Sequence, residues 1–174
     1  MIIVNKIWEG VRQEGLNYGL PTTFLELGDG VPYSTTEELV KTLMTNTKCK
    51  WICIRGESTT QVGMGTLVRG LAAVGLYVEI ECKGDIKDPG WLNAVDRWVV
   101  DYMDTPHFNM GALRSKDMIR YTVNTKEELP KVEVAFAQHK GFTGTKYIKS
   151  GDKELIKACF EFVRKWERGR LYLC

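Results

Sequence analysis

A chain of 174 residues and 19.8 kDa fits one domain, a size at which a core forms without disulfides or metals. Its 44% apolar and 26% charged residues are those of an ordinary globular protein, and a net charge of +2 is too balanced for one whose main task is coating nucleic acid, though a local basic patch stays compatible with it. No apolar run approaches the roughly 20 residues of a membrane span, and the opening Met1-Ile2-Ile3-Val4-Asn5-Lys6 does not read as a signal peptide, so a cytoplasmic protein with reduced cysteines is expected.

In chain order, residues 2–8 and 22–27 are predicted strands joined by the polar stretch 9–21. Ser34-Thr35-Thr36-Glu37 has the spacing of a capping box and opens a helix with Leu39, Val40, Leu43 and Met44 on one face. Residues 50–54 form the next strand and 55–60 a polar loop. A second helix turns Val62, Leu67, Val68, Leu71 and Val74 inward, and Gly75 suits its end. Strands are predicted over 76–81, 97–102, 118–123 and 132–137, with Val78 and Ile80 on one face and Tyr77 and Glu79 on the other. A last amphipathic helix covers 152–167, with Leu155, Ile156, Cys159, Phe160, Val163 and Trp166 at core spacing, and 171–173 is a terminal strand. The basic residues of 164–170 sit on its solvated side, where they favour its dipole.

Strands alternating with helices imply an α/β protein with mostly parallel strands, either an abbreviated (partial) β/α barrel or an open sheet. Both place ligands at the carboxyl ends of the strands. Three segments fall at such places: Arg12-Gln13-Glu14-Gly15 with residues 16–27 after it, Cys53-Ile54-Arg55-Gly56-Glu57-Ser58, and Val78-Glu79-Ile80-Glu81-Cys82-Lys83-Gly84. Gln13 and Glu14 could pair with the edge of a purine or pterin, or form a polar turn. Glu57 could hold an ammonium or a ribose hydroxyl, or complement a helix dipole.

In order and spacing these segments resemble those of 7-carboxy-7-deazaguanine synthase, a radical S-adenosylmethionine enzyme of the deazapurine pathway to queuosine. The resemblance extends through Trp91–Val100 to the closing helix and strand. It implies a single domain with the partial β/α barrel of the radical S-adenosylmethionine type, in a homodimer. It assigns Gln13, Glu14 and Gly15 to a substrate of pterin type, and Gly56, Glu57, Ser58 and Glu81 to S-adenosylmethionine.

Three departures run against activity. The family holds an iron–sulfur cluster through three cysteines between the second strand and first helix. Here that stretch is Gly28-Asp29-Gly30-Val31-Pro32-Tyr33-Ser34, a small turn without a thiol, and cluster iron needs thiolate ligands. Glu26 stands where the family has a substrate-binding arginine, and Asp101-Tyr102-Met103 replaces a Ser-Pro-Lys turn. Drift after loss of activity accounts for all three; local excision of the cluster loop would leave Glu26 unexplained.

No iron–sulfur cluster is therefore expected, and no catalytic or metal-binding residue is assigned. The leading expectation is an inactive relative that binds a purine, a pterin or S-adenosylmethionine. The alternatives are an active ring-contracting lyase with unusual cluster ligation, and a dimeric scaffold with no small ligand. Cys53 and Cys82 could face inward together, with His107 as a third metal ligand, but buried cysteine is a common core residue. Cys159 is expected in the core, and His107 and His139 on loops or the surface. Neither a membrane nor nucleic acid is expected as a main partner.

Overall fold

The computed structural model describes residues 1–33, 35–56, 61–83, 90–102, 110–164 and 170–171. Eight strands run in chain order across one sheet: β1 (Ile2–Val11), β2 (Pro21–Tyr33), β3 (Trp51–Gly56), β4 (Tyr77–Lys83), β5 (Arg97–Asp101), β6 (Met118–Thr122), β7 (Thr145–Lys149) and β8 (Arg170–Leu171). β1 and β2 pair antiparallel, and every later pairing is parallel. The parallel register needs crossovers. Four are helices: α1 (Thr36–Asn46) before β3, α2 (Met64–Ala73) before β4, α3 (Leu129–Gln138) before β7 and α4 (Lys153–Arg164) before β8. Among the described residues no ladder joins β8 to β1.

Side chains alternate between the sheet's two faces. On one face Leu25, Leu27, Ile52, Ile54, Val78, Ile80, Trp98 and Val100 meet Leu39 and Leu43 of α1 and Met64, Leu67, Val68 and Leu71 of α2. Ile119, Tyr121 and Ile148 meet Val132, Ala135 and Phe136 of α3 and Cys159, Phe162 and Val163 of α4 on the same face. The opposite face carries Phe24, Glu26, Cys53, Arg55, Glu79, Glu81, Asp101, Arg120 and Lys149. That face is largely polar, with a small apolar cluster of Val99, Met118 and Tyr147, and it holds the candidate site.

The expected element order stands, with corrections. Residues 132–137 are not a strand but the core of α3. Val132 and Phe136 satisfy an alternating pattern as well as a helical one, but Pro130 in the first helical turn suits a helix start, and Val134 is exposed while Ala135 is buried. Strand β7, unexpected from the sequence, has only Tyr147 and Ile148 as apolar residues. The cap of α1 is one residue later than expected: the Thr35 hydroxyl accepts the Glu38 N–H, while Ser34 lies outside the described residues. Val62, Val74 and Met44 are exposed rather than inward, since Val62 precedes α2 and Val74 ends it. On α4, Phe162 is buried and Phe160 exposed. Trp166 and most of the expected terminal strand lie outside the described residues.

The expected small turn at Gly28-Asp29-Gly30 is a bulge inside β2. Val4 pairs with both Leu27 and Val31, so the three residues loop out and the strand then continues, with Pro32 and Tyr33 opposite Ile3 and Ile2. A Cβ on Gly30 would overlap the Val4 carbonyl oxygen, so this close crossing requires glycine. Gly56 ends β3 under the same constraint: its φ is 95°, and a Cβ would overlap the Leu27 carbonyl oxygen.

Candidate functional site

The β1–β2 connection folds back on itself through Arg12 N–H to the Leu20 carbonyl at 2.9 Å and Gly19 N–H to the Arg12 carbonyl at 2.8 Å. It thereby carries Arg12, Glu14 and Asn17 onto the polar face of the sheet. Arg12 is buried between two acids of β4, with Nη2 2.8 Å from a Glu79 carboxylate oxygen and Nη1 paired to Glu81. Asn17 donates to Glu79 at 2.9 Å and accepts from Arg97 at 2.6 Å. Arg120, from β6, donates to Glu14 at 2.7 Å, to Glu81 at 3.3 Å and to Asp101. Lys149, from β7, stands 3.2 Å from Glu14. Four basic groups (Arg12, Arg97, Arg120, Lys149) thus face four acids (Glu14, Glu79, Glu81, Asp101). Buried charge is tolerated only when paired in this manner.

The environments differ within the network. Burial alone raises the Glu81 carboxyl, but Arg12 and Arg120 outweigh it and hold Glu81 below its ordinary value. For Glu79 burial wins over Arg12, and its carboxyl is raised. Cys53 lies between them, its thiol directed at Glu81 at 3.6 Å and pushed well up, first by burial and then by the Glu81 charge. A raised thiol is a poor nucleophile and a poor metal ligand.

Above this network a cavity of about 340 Å³ is lined by Trp8, Gly10, Val11, Arg12, Gln13, Glu14, Phe24, Arg55 and Lys149. Trp8 and Phe24, opposite one another on β1 and β2, stack at 5.2 Å with planes 15° apart. The Arg55 guanidinium lies 4.5 Å from the Trp8 ring centre and 5.6 Å from that of Phe24. Lys149 is from β7, so the cavity has walls from both ends of the strand order. The geometry offers a flat aromatic wall, two partly exposed cations and the polar Gln13 and Glu14.

Of the residues singled out in the sequence, Gln13 and Glu14 reach this cavity. Gly15 lies beneath it, with φ 74° and a Cβ position only 2.9 Å from the Met118 methyl carbon. Glu81 is in the network under the cavity, its oxygens engaged by Arg12, Arg120 and Cys53. Gly56 is at the β3 exit beside Leu27. Glu57, Ser58, Gly84, Met103 and His107 lie outside the described residues. Cys53 and Cys82 do not face each other: Cys82 is in the apolar layer under the helices, because it is one residue out of phase with Glu79 and Glu81. His139 is buried rather than on the surface, its Nδ1 2.7 Å from the Tyr121 hydroxyl.

Sequence reasoning gave no site role to Glu79, Arg97, Asp101, Arg120 or Lys149, although Glu79 lies in the third segment singled out. Their signal was present: charged residues at positions that alternate with apolar ones in strands whose other face is core.

Against known proteins, no sequence-family model matches the chain, and no curated protein matches its sequence. The crystal structure of QueE from Escherichia coli superposes with a TM-score of 0.76, over 99% of this chain and 93% of that one, at 14% identity. The fold is QueE-like. The agreement covers the α/β architecture and its mostly parallel sheet, the arrangement of a 7-carboxy-7-deazaguanine synthase.

The fit of the cofactors implied by that likeness is set by the donors on this chain. The four described cysteines occupy four separate settings: Cys49 near Glu9, Cys53 in the ionic network, Cys82 in the larger apolar core and Cys159 on α4. Only Cys53, Glu79 and Glu81 group as potential metal donors among the described residues, and the Arg12 guanidinium already pairs with both acids. The stretch from Gly28 to Ser34 has no thiol, and its residues Val31, Pro32 and Tyr33 at the end of β2 are tied to β1 by strand pairing. This donor set does not fit a three-thiolate cluster.

Proposed function

We propose that this protein is a relative of the 7-carboxy-7-deazaguanine synthases without radical chemistry, and that it binds a planar heterocycle of the purine or pterin class carrying an acidic group. The observation that carries the reading is the cavity wall, where the stacked Trp8–Phe24 pair lies under Arg55 in a cavity that Lys149 also lines. An aromatic surface holds a flat ring, a guanidinium and an ammonium hold a carboxylate or phosphate, and Gln13 offers an amide to the ring edge. The inactive reading is supported by the thiol-free stretch from Gly28 to Ser34. S-adenosylmethionine is the other ligand the likeness suggests; its adenine fits the same wall, while its sulfonium is disfavoured near two cations. A cytoplasmic homodimer belongs to the same reading.

Calorimetric titration with a carboxypterin, a guanine nucleotide and S-adenosylmethionine tests it. The expected result is one saturable site per chain for an acidic heterocycle, lost in Arg55→Ala. Heat that saturates for none of the three rejects binding in favour of a scaffold. Saturation by S-adenosylmethionine alone, sensitive to Glu57→Ala, rejects the acidic-heterocycle reading.

A further inference from the structure

The connection from the end of β1 to the start of β2 is inverted in polarity. Its charged residues, Arg12 and Glu14, and its Asn17 are buried against the polar face of the sheet, whereas Val11, Leu16, Tyr18 and Leu20 are exposed, Tyr18 at 67%. The network accounts for the inward half. Arg12 meets Glu79 and Glu81, Glu14 meets Arg120 and Lys149, and Asn17 bridges Glu79 and Arg97. Nothing in it requires Leu16, Tyr18 and Leu20 to be apolar. Polar side chains would be better solvated there, and a free surface ordinarily carries them.

The segment is held in one shape. The Tyr18 N–H reaches the Gly15 carbonyl at 3.2 Å and the Leu20 N–H the Asn17 carbonyl at 3.0 Å, besides the two bonds that fold it back on Arg12. The apolar side chains are thus presented on an ordered backbone, which lowers the cost of burying them against a partner. Beyond Asn17, the Arg97 guanidinium lies 5.6 Å from the Trp51 ring centre, and Trp51 stacks at 5.0 Å on Tyr77, itself 47% exposed. The strand ends alongside carry exposed residues of both charges, Glu9, Lys48 and Lys50, with the Glu9 carboxylate accepting the Lys48 N–H at 2.8 Å. An apolar centre with a rim of mixed charge is the anatomy of a protein–protein contact.

We propose that the outward face of the β1–β2 connection is where a second copy of this chain docks, with Leu16 and Tyr18 as its anchors. The proposal rests on the homodimer of the reading above and gives that dimer a surface. A two-fold contact sets a patch against the same patch. Residues 11–20 expose no charged side chain, so the contact brings no like charges together along this segment. A polyanion or an anionic lipid surface would need cations, and the segment turns its arginine inward. The exposed apolar side chains Val11, Leu16, Tyr18, Leu20 and Tyr77 are few against the roughly 20–30 residues a side of a standard interface. The dimer therefore exchanges with the monomer and depends on concentration.

Sedimentation equilibrium from micromolar to submillimolar protein tests this, and the mass is expected to rise from one chain toward two. Tyr18→Ser is expected to weaken association about tenfold, and the double variant Leu16→Lys, Tyr18→Lys about 100-fold or more, with the thermal melt unchanged. Phe160→Lys, at an exposed position of α4, is expected to leave association unaltered. A dimer that survives both Tyr18→Ser and the double variant overturns the surface and leaves the homodimer standing. A wild type that stays monomeric throughout overturns both and assigns the patch to a different protein. Association lost in Phe160→Lys moves the contact to α4 and likewise overturns the proposal. Neither Leu16 nor Tyr18 lines the cavity, so titration with the carboxypterin is expected to saturate in the double variant as in the wild type. Saturation in neither rejects the heterocycle reading and leaves the docking surface untouched.

Discussion

Arg12 and Arg120 are what allow Glu81 to stay ionised in the interior. Removing that carboxylate leaves two guanidinium groups short of a counter-charge in a site with little access to water, so Glu81→Gln is expected to cost about 3–5 kcal/mol in urea denaturation. Glu79, whose carboxyl burial raises toward the neutral form, is expected to tolerate Gln at a smaller cost; equal losses would mean that the two acids share one environment. His139 gives a pH signature. Burial, and then Lys146, hold its imidazole below the ordinary value, so the folded state favours the neutral ring while the unfolded chain protonates near pH 6.5. The contribution is complete above about pH 6.5 and is lost as pH falls below it toward the folded value. The melting temperature should therefore fall over that interval more steeply in the wild type than in His139→Gln. Parallel pH curves for the two would remove His139 as the cause. None of these pairings was legible from spacing. Arg12 is separated from Glu79 by 67 positions and Arg120 from Glu14 by 106, and only the sheet register brings them together.

Within elements, the sequence was informative wherever one period excluded the other. The buried set Met64, Leu67, Val68 and Leu71 admits only a helix, and α2 was legible. Residues 132–137 fit both periods, and their β-branched valines favoured the wrong one. β7 was missed because lysines flank its two apolar residues, a pattern shared with solvent-exposed loops. Glycines mark the places where chain geometry, not propensity, decides. Gly56 and Gly75 both have positive φ, 95° and 79°, but a Cβ at Gly75 meets nothing within 4 Å whereas one at Gly56 overlaps the Leu27 carbonyl. Gly75→Ala is thus expected to cost about 1 kcal/mol from backbone strain, and Gly56→Ala clearly more, measured by denaturant midpoint. If the two cost the same, β3 does not approach Leu27 this closely. Thr35→Ala removes the hydroxyl that caps α1 and should cost about 1 kcal/mol.

At the scale of the molecule, all four helices cover one face of the sheet, so the other face must be stabilised by something else. Here that is a charge network beside the small apolar cluster of Val99, Met118 and Tyr147, with an aromatic-walled cavity over it, and the class of the fold was readable while the content of this face was not. The same architecture bears on iron. In β2 the bulge of Gly28, Asp29 and Gly30 returns directly into pairing with Ile2, Ile3 and Val4, and the contact of Gly30 with the Val4 carbonyl leaves no room for a larger residue. A loop that caged a cubane there would have to release this pairing and then supply thiolates that it lacks. Cys53 does not substitute, because its thiol is raised by burial and by Glu81, and the guanidinium of Arg12 holds the neighbouring acids. Protein purified and reconstituted without oxygen is therefore expected to be colourless, with iron far below one atom per chain. Its melting temperature should be unchanged by iron and sulfide, since a cofactor bound to the native state would raise it. A brown protein with several irons per chain and a raised melting temperature would mean that the β1–β2 pairing opens and that cysteines now in separate settings come together around the metal.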